Sequence, residues 1–175
     1  MWLSLKKTGS VAIRLLIACG LLTACGFEPM YGDAAMQSIR TPLQGNLLIE
    51  PIANREGQVL KIALEDRFNP EGIKFASPDY HLVITLRKTL IPAVVKSDGT
   101  IQRYDIWLDS SFKLTRVSDK TTLLESTLKR RGSYNVATDA NFATHEAEGD
   151  VTERILKEMA EDYLLRLSGY FAKSS

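Results

Sequence analysis

Residues 80–115 read "YHLVITLRKTLIPAVVKSDGTIQRYDIWLDSSFKLT". Tyr80, Leu82, Ile84 and Leu86 fall on every second position, the period of a strand with one apolar face. At residues 97–100, "SDGT" signals a hairpin turn, because glycine reaches the positive φ that such turns require. The returning arm also alternates. Tyr104, Ile106, Leu108, Phe112 and Leu114 share one side, and Arg103, Asp105, Asp109 and Lys113 the other. A long antiparallel hairpin with one buried and one wet face follows from this pattern. Pro92 has no N–H to give to a ladder, so the far end of the first arm is expected at an edge, bulged or unpaired.

The neighbouring segments extend this hairpin into a domain. "SDKT" at residues 118–121 makes a second turn, and residues 122–134 form the third strand of a meander. Upstream, residues 46–52 read as a short apolar strand ended by Pro51. In "REGQVLKIALEDRFNP", Val59, Leu60, Ala63, Leu64 and Phe68 have helical spacing, and Asn69-Pro70 stops the helix. Residues 141–171 form a long amphipathic helix, with Val151, Ile155, Met159, Tyr163 and Leu167 stepping by four. Asp139 and Asn141 are its candidate caps. Gly149 weakens the first turns, which moves the expected start of regular helix toward Asp150. The order is β-α-β-β-β-α, and each helix has one apolar stripe. The expected fold is α+β: a two-layer sandwich with both helices on one face of a four-stranded sheet.

The N-terminus has a separate logic. Lys6, Lys7 and Arg14 precede an apolar run, "LLIACGLL" at residues 15–22, with no acidic residue before Glu28. That run is too short to span a bilayer, which takes roughly 20 apolar residues, and has the length of a signal-peptide core. Leu22-Thr23-Ala24-Cys25 then matches a lipobox, where small residues fit a peptidase cleft and the thiol accepts diacylglycerol. The alternative register ending at Cys19 leaves only four residues after Arg14, too few for an apolar core. The expected organisation is a signal peptide at 1–24, a lipid-anchored tether at 25–45 and one domain at 46–175. Several acyl chains on Cys25 would hold the protein durably to a membrane. Gly26 stands where aspartate is the usual signal for retention in the inner membrane, so the expected address is the periplasmic side of the outer membrane.

The full chain has a formal charge of +1. Loss of residues 1–24 removes three basic residues and no acidic one, leaving 19 basic against 21 acidic. Bulk charge therefore argues against a nucleic-acid partner. An anion site would need local clustering, and the meander offers Arg87, Lys88, Arg103, Lys129, Arg130 and Arg131. Neighbouring strands can bring such residues side by side. The same cations on a last strand also serve to guard a sheet edge against pairing. Trp107 stands among polar neighbours on the face assigned to solvent. That suits an interface anchor, and equally a side chain covered by the tether or the second helix.

The mature start, "CGFEPMYG" at residues 25–32, resembles that of one branch of the lipopolysaccharide-assembly lipoprotein family (LptE). The matching residues are Cys25, Gly26, Phe27, Pro29, Tyr31 and Gly32. "REGQVLKIALEDRF", "YHLVITL" and "QRYDIWLDSSFKLT" are similar to later segments of that branch, so the resemblance covers nearly the whole mature chain. It implies a lipoprotein that plugs a large outer-membrane β-barrel of the LptD type and helps deliver lipopolysaccharide to the outer leaflet. It also implies direct lipopolysaccharide binding. In that setting the six cations are candidate lipid-binding residues, and Trp107, Asp98 and Gly99 are candidate contacts with the barrel wall. An auxiliary lipoprotein of another envelope lipid-transport system is the alternative.

No catalytic pattern stands out. The two histidines, His81 and His145, have no metal-ligand spacing, and no thiol follows Cys25. No Gly-x-Ser-x-Gly elbow or phosphate-binding loop is present. The expectation is a binding protein with no enzymatic activity, no metal and no cofactor.

Overall fold

The hairpin forms as its alternation predicts and dominates the computed structural model. Strands β2 (Tyr80–Val95) and β3 (Ile101–Arg116) are its arms. They are flanked by β1 (Leu47–Ile49) and β4 (Thr122–Asn135). Helix α1 (Asn54–Phe68) links β1 to β2, and α2 (Asn141–Ser174) ends the chain. The structure describes Leu43 and residues 46–72, 77–137 and 140–174, all within the unit Gln37–Ser175. The signal segment, Cys25, most of the tether and the candidate cap Asp139 lie outside the described residues.

The sheet order is β1-β2-β3-β4. β1 runs parallel to β2, with Leu47 opposite Tyr80 and Ile49 opposite Leu82. The other two pairings are antiparallel. The β2–β3 ladder is unbroken from Tyr80 opposite Arg116 to Pro92 opposite Tyr104, and then shifts between Pro92 and Val94 and again before Val95.

Hydrogen bonds at the start of β2 explain why Pro92 is tolerated. The Tyr80 N–H donates to the Asn46 carbonyl and the Leu82 carbonyl accepts from the Glu50 N–H, so even-numbered residues address the β1 side. The Asp79 carbonyl accepts from the Val117 N–H, so odd-numbered residues address β3. Because the ladder keeps register, Pro92 is an even position whose absent N–H would point away from β3. The proline costs no ladder bond, and the expected bulge begins just after it.

Side chains at even positions of β2, β3 and β4 face the helices. Leu82, Ile84, Ile106, Leu108, Phe112, Leu114, Leu128 and Tyr134 are buried there. Leu60, Ala63, Leu64 and Phe68 cover them from α1, and Ile155, Leu156, Met159, Tyr163 and Leu167 from α2. Ser110 interrupts the apolar row of β3, and its hydroxyl meets the Tyr163 hydroxyl at 2.5 Å inside the core. Burial pushes the Tyr163 phenol up to about 12. Helix α2 begins at Asn141 and continues through Gly149, earlier than the glycine suggested. Thr144 steadies that start, accepting from the Ala137 N–H and donating to the Ala140 carbonyl.

Two helical glycines have opposite surroundings. A Cβ on Gly57 would lie 2.7–2.8 Å from Ile52, including its backbone carbon and oxygen, which cannot swing aside. A Cβ on Gly149 would meet nothing within 4 Å. Gly57→Ala should therefore destabilise the fold by ~1–3 kcal/mol through overpacking. Gly149→Ala should stabilise it by ~0.5–1 kcal/mol through reduced backbone entropy. Urea unfolding of both variants measures the two signs. Equal shifts would show that α1 does not seat on Ile52 in the way described.

Candidate functional site

Parity along the strands sorts the six candidate cations into two groups. Odd positions face away from both helices. There the register aligns Arg87, Asp109 and Lys129 in one row and Thr89, Trp107 and Arg131 in the next. Lys129 Nζ lies 3.3 Å from Asp109 Oδ1, and Arg131 Nη1 lies 3.9 Å from Asp105 Oδ2. The Arg131 guanidinium carbon stands 5.4 Å from the centre of the Trp107 ring, a cation–π distance. Arg87 makes no ion pair among the described residues. A shallow hollow of about 380 Å³ lies on the side of the first row away from Trp107, between Arg87, Asp109 and Lys129 and the neighbouring row of Thr85, Ser111 and Thr127. The Lys129 and Arg131 side chains remain 69% and 61% exposed, so water and ligands reach them.

Arg103 shares this open face but lies nearer the hairpin turn, where its Nε donates to Asn135 Oδ1 at 2.9 Å. Trp107 is half-buried on the same face, where its parity placed it. At the hairpin turn, Gly99 adopts φ 85° and the Thr100 N–H donates to Asp98 Oδ1 at 2.9 Å. The Thr100 N–H holds the Asp98 carboxyl below the usual aspartate range, so Asp98 shapes the turn while its surface stays exposed.

Lys88 and Arg130 belong to the other face, contrary to their grouping with the sheet-face cations. Both are even-numbered and point toward the helix layer. Lys88 Nζ lies 2.6 Å from Glu56 Oε1 and 3.0 Å from Glu148 Oε1, tying β2 to the starts of α1 and α2. Partial burial works against the Lys88 charge, but the hydrogen bonds it donates to the two carboxylates outweigh it and its pKa lies above the ordinary lysine value. The Tyr134 hydroxyl donates to the second oxygen of Glu148 at 3.3 Å. Burial, reinforced by the Glu148 charge, pushes that phenol up to about 12. Arg130 grips Asp162 of α2 with two parallel bonds of 2.6 and 2.5 Å. This fork raises the arginine pKa further and commits the side chain to the fold. Glu56 and Glu148 carry no local sequence signal of this role, and Asp162, which beside Glu161 reads as part of a solvated helix face, is instead held by Arg130. The available signal was parity, since counting from Leu86 and Leu128 puts Lys88 and Arg130 on the buried side.

His81 Nε2 lies 2.7 Å from Glu50 Oε1, an ion-pair distance without the alignment of a hydrogen bond. Among the described residues no group of three or more histidine, cysteine or acidic side chains is disposed to hold a metal. Among them also, no helix is long and apolar enough to cross a membrane.

No family model matches the chain. It is similar to an uncharacterized protein of Rickettsia prowazekii (strain Madrid E), with 26% identity over 159 residues that cover 91% of this chain and 96% of the relative. Its fold is shared with solved structures of bacterial lipoproteins, among them the following three. One is a candidate lipoprotein from Caulobacter crescentus, at TM-score 0.62 and 18% identity, covering 78% of this chain and 98% of that one. The rare lipoprotein B of Shewanella oneidensis aligns at TM-score 0.57 and 10% identity over 73% and 96% of the two chains. A minor lipoprotein of Acinetobacter baumannii aligns at 0.53 and 13% over 73% and 94%. At these identities the shared property is the two-layer α+β architecture.

The lysine knot has a pH signature. Its hydrogen bond to Lys88 holds the Glu56 carboxyl below the ordinary value of 4.5. Its contribution to stability is therefore complete above that value and is lost as pH falls through the depressed one. Glu56→Gln should flatten the acid limb of the stability curve, measured as the urea midpoint between pH 7 and 3. Lys88→Ala should cost about 1–3 kcal/mol at neutral pH, because Glu56 and Glu148 lose their shared cation.

Proposed function

We propose that this chain is an outer-membrane lipoprotein of the lipopolysaccharide-assembly type. It is anchored on the periplasmic side through Cys25, associates with an LptD-type β-barrel, and presents the open face of its sheet to lipopolysaccharide. It acts by binding and not by catalysis. The observation that carries this reading is the sheet face away from both helices, which no described element covers. Both helices lie on the other side, while Arg131 stands over the half-buried Trp107 and Arg87 and Lys129 lie in the adjacent row of the same face. Lipid A carries phosphates beside acyl chains, so its binder needs cations next to apolar or aromatic surface. Arginine matches phosphate through its planar fork of donors. The lipobox at residues 22–25, the resemblance of residues 25–32 and the fold shared with three lipoproteins support the reading.

The carboxylates within the face set how it would bind. Asp109 and Asp105 already contact Lys129 and Arg131, so a phosphate must compete with them. Binding is then an exchange of partners on exposed, salt-screened side chains, which suits transient handling of a lipid better than storage. Asp98 and Gly99 at the hairpin turn are the barrel contacts in this reading, with Trp107, farther down the same strand, a further contact where lipid does not cover it.

Two measurements test it. The acylated protein, recovered from detergent-solubilised outer membranes, should carry a large β-barrel protein in stable complex; recovery of the chain without one removes the barrel from the account. The triple variant Arg87→Glu, Lys129→Glu, Arg131→Glu should bind immobilised lipopolysaccharide at least tenfold more weakly, whereas Asp109→Asn should bind more tightly by freeing Lys129. Arg130→Gln, on the helix side, should leave lipid binding unchanged. Equal binding by the triple variant would place the lipid elsewhere.

A further inference from the structure

The outer edge of β2 is occupied over only part of its length. β1 covers it at Tyr80 to Leu82, the last bond being from the Glu50 N–H to the Leu82 carbonyl. The chain then turns up into α1. By the parity set out above, the backbone N–H and C=O groups of Ile84, Leu86, Lys88 and Leu90 point into the same row that β1 vacates. Among the described residues no strand pairs with them. Pro92, the next outward position, ends the row because it has no N–H.

The flanks give this edge a shape and a preference. A hollow of about 300 Å³ runs beside it, bounded by Ala53, Asn54 and Glu56 of the α1 entry and by Leu86, Arg87 and Lys88 of the strand. Val83, Leu90 and Ile91 expose apolar side chains along it, at 43%, 40% and 46%. Arg87 stands at the centre of the segment without an ion pair among the described residues. The opposite edge of the sheet is protected differently: β4 carries Glu125, Lys129, Arg130 and Arg131, charges that discourage strand pairing.

We propose that the β2 edge from Ile84 to Leu90 is a strand-addition site for an extended segment of a partner protein, apolar at its ends and acidic at its centre. A regular row of donors and acceptors at the β repeat is matched by a peptide backbone, in the mode by which sheet edges bind extended ligands. The carboxylate would lie beside Arg87 on the open face, as neighbours on adjacent strands do. A second copy of this chain fits poorly. Two such edges paired antiparallel over residues 84–90 would centre on Arg87 and set it against its own copy. The inference rests on the edge and on Arg87, which the lipid reading also uses, and it is read from the backbone amides so that it stands or falls separately from lipopolysaccharide binding.

Residue-resolved amide exchange on the intact chain tests it. In the free protein, the amides of Ile84, Leu86, Lys88 and Leu90 should exchange fast and those of Thr85, Arg87, Thr89 and Ile91 slowly. A synthetic heptapeptide of alternating valine and threonine with a central glutamate should slow the first set at least tenfold. The same peptide N-methylated on alternate residues should fail to do so, and Arg87→Glu should shift the preference to a lysine-centred peptide. Equal effects of the plain and methylated peptides would overturn the proposal, as would protection confined to β4. Concentration-dependent protection of the same four amides without peptide would overturn the partner in favour of self-pairing.

Discussion

One continuous register governs this domain. From Tyr80 to Pro92, β2 pairs with β3 without a slip, and β3 pairs with β4 from Arg103 to Leu114. Side chains alternate across a sheet, so moving one strand by a single residue would send Leu108 and Phe112 into water and Trp107 and Asp109 into the core. The buried row of leucines, isoleucines and aromatics makes that exchange prohibitively costly. The two antiparallel turns then hold the register at both ends. Gly99 supplies positive φ at one turn, and Lys120 adopts φ 57° at the other, where the Thr121 N–H donates to Asp119 Oδ1. Everything proposed about the sheet's open face and its free edge follows from the same odd-even division.

That division also explains what could be read in the sequence. The two hairpin strands had alternating residues, the first strand a short apolar run, each helix an apolar stripe, and the turns Ser-Asp starts, so element order and layer arrangement were legible. The start of α2 was not. Gly149 lowers local helix propensity, but Thr144 and the continuing helix downstream offset about 1 kcal/mol of propensity. The cations were legible as a set and misleading as a cluster. "LKRRG" looks like one basic patch, yet on a strand its members alternate: Lys129 and Arg131 to the open face, Arg130 to Asp162. What no local pattern could give were the acidic partners. Glu148 lies 60 residues from Lys88, and Asp162 lies 32 from Arg130.

Gly132 shows how closely that second layer is fitted. A Cβ there would come within 2.6 Å of Ile155 and 2.8 Å of Val151, so α2 rests directly on the backbone of β4. Next to this contact the Arg130–Asp162 fork fixes the helix against sliding along the strand. Further along, the Ser110–Tyr163 hydrogen bond fixes it against rotation, because turning α2 would leave a hydroxyl without a partner in a dry core. The helix layer is thus specified by polar pairs set within apolar packing, and it covers one face of the sheet.

The two edges are treated differently, and the difference has a physical cause. β4 has no neighbour on its outer side among the described residues and runs for 14 residues. An edge that long, if apolar, would invite indiscriminate pairing, and its charges oppose this. β2 needs less protection, because β1 closes one end and Pro92 with the following bulge closes the other. Only a short run remains, and it is sheltered by the first turn of α1. Lys88 faces that shelter but is held by Glu56 and Glu148, so it does not repel an incoming strand as a free lysine would. An edge that is short and bounded, with Lys88 paired and Arg87 left to meet an acidic segment, is not the usual defence against aggregation. It has the properties of a surface kept open for one defined segment.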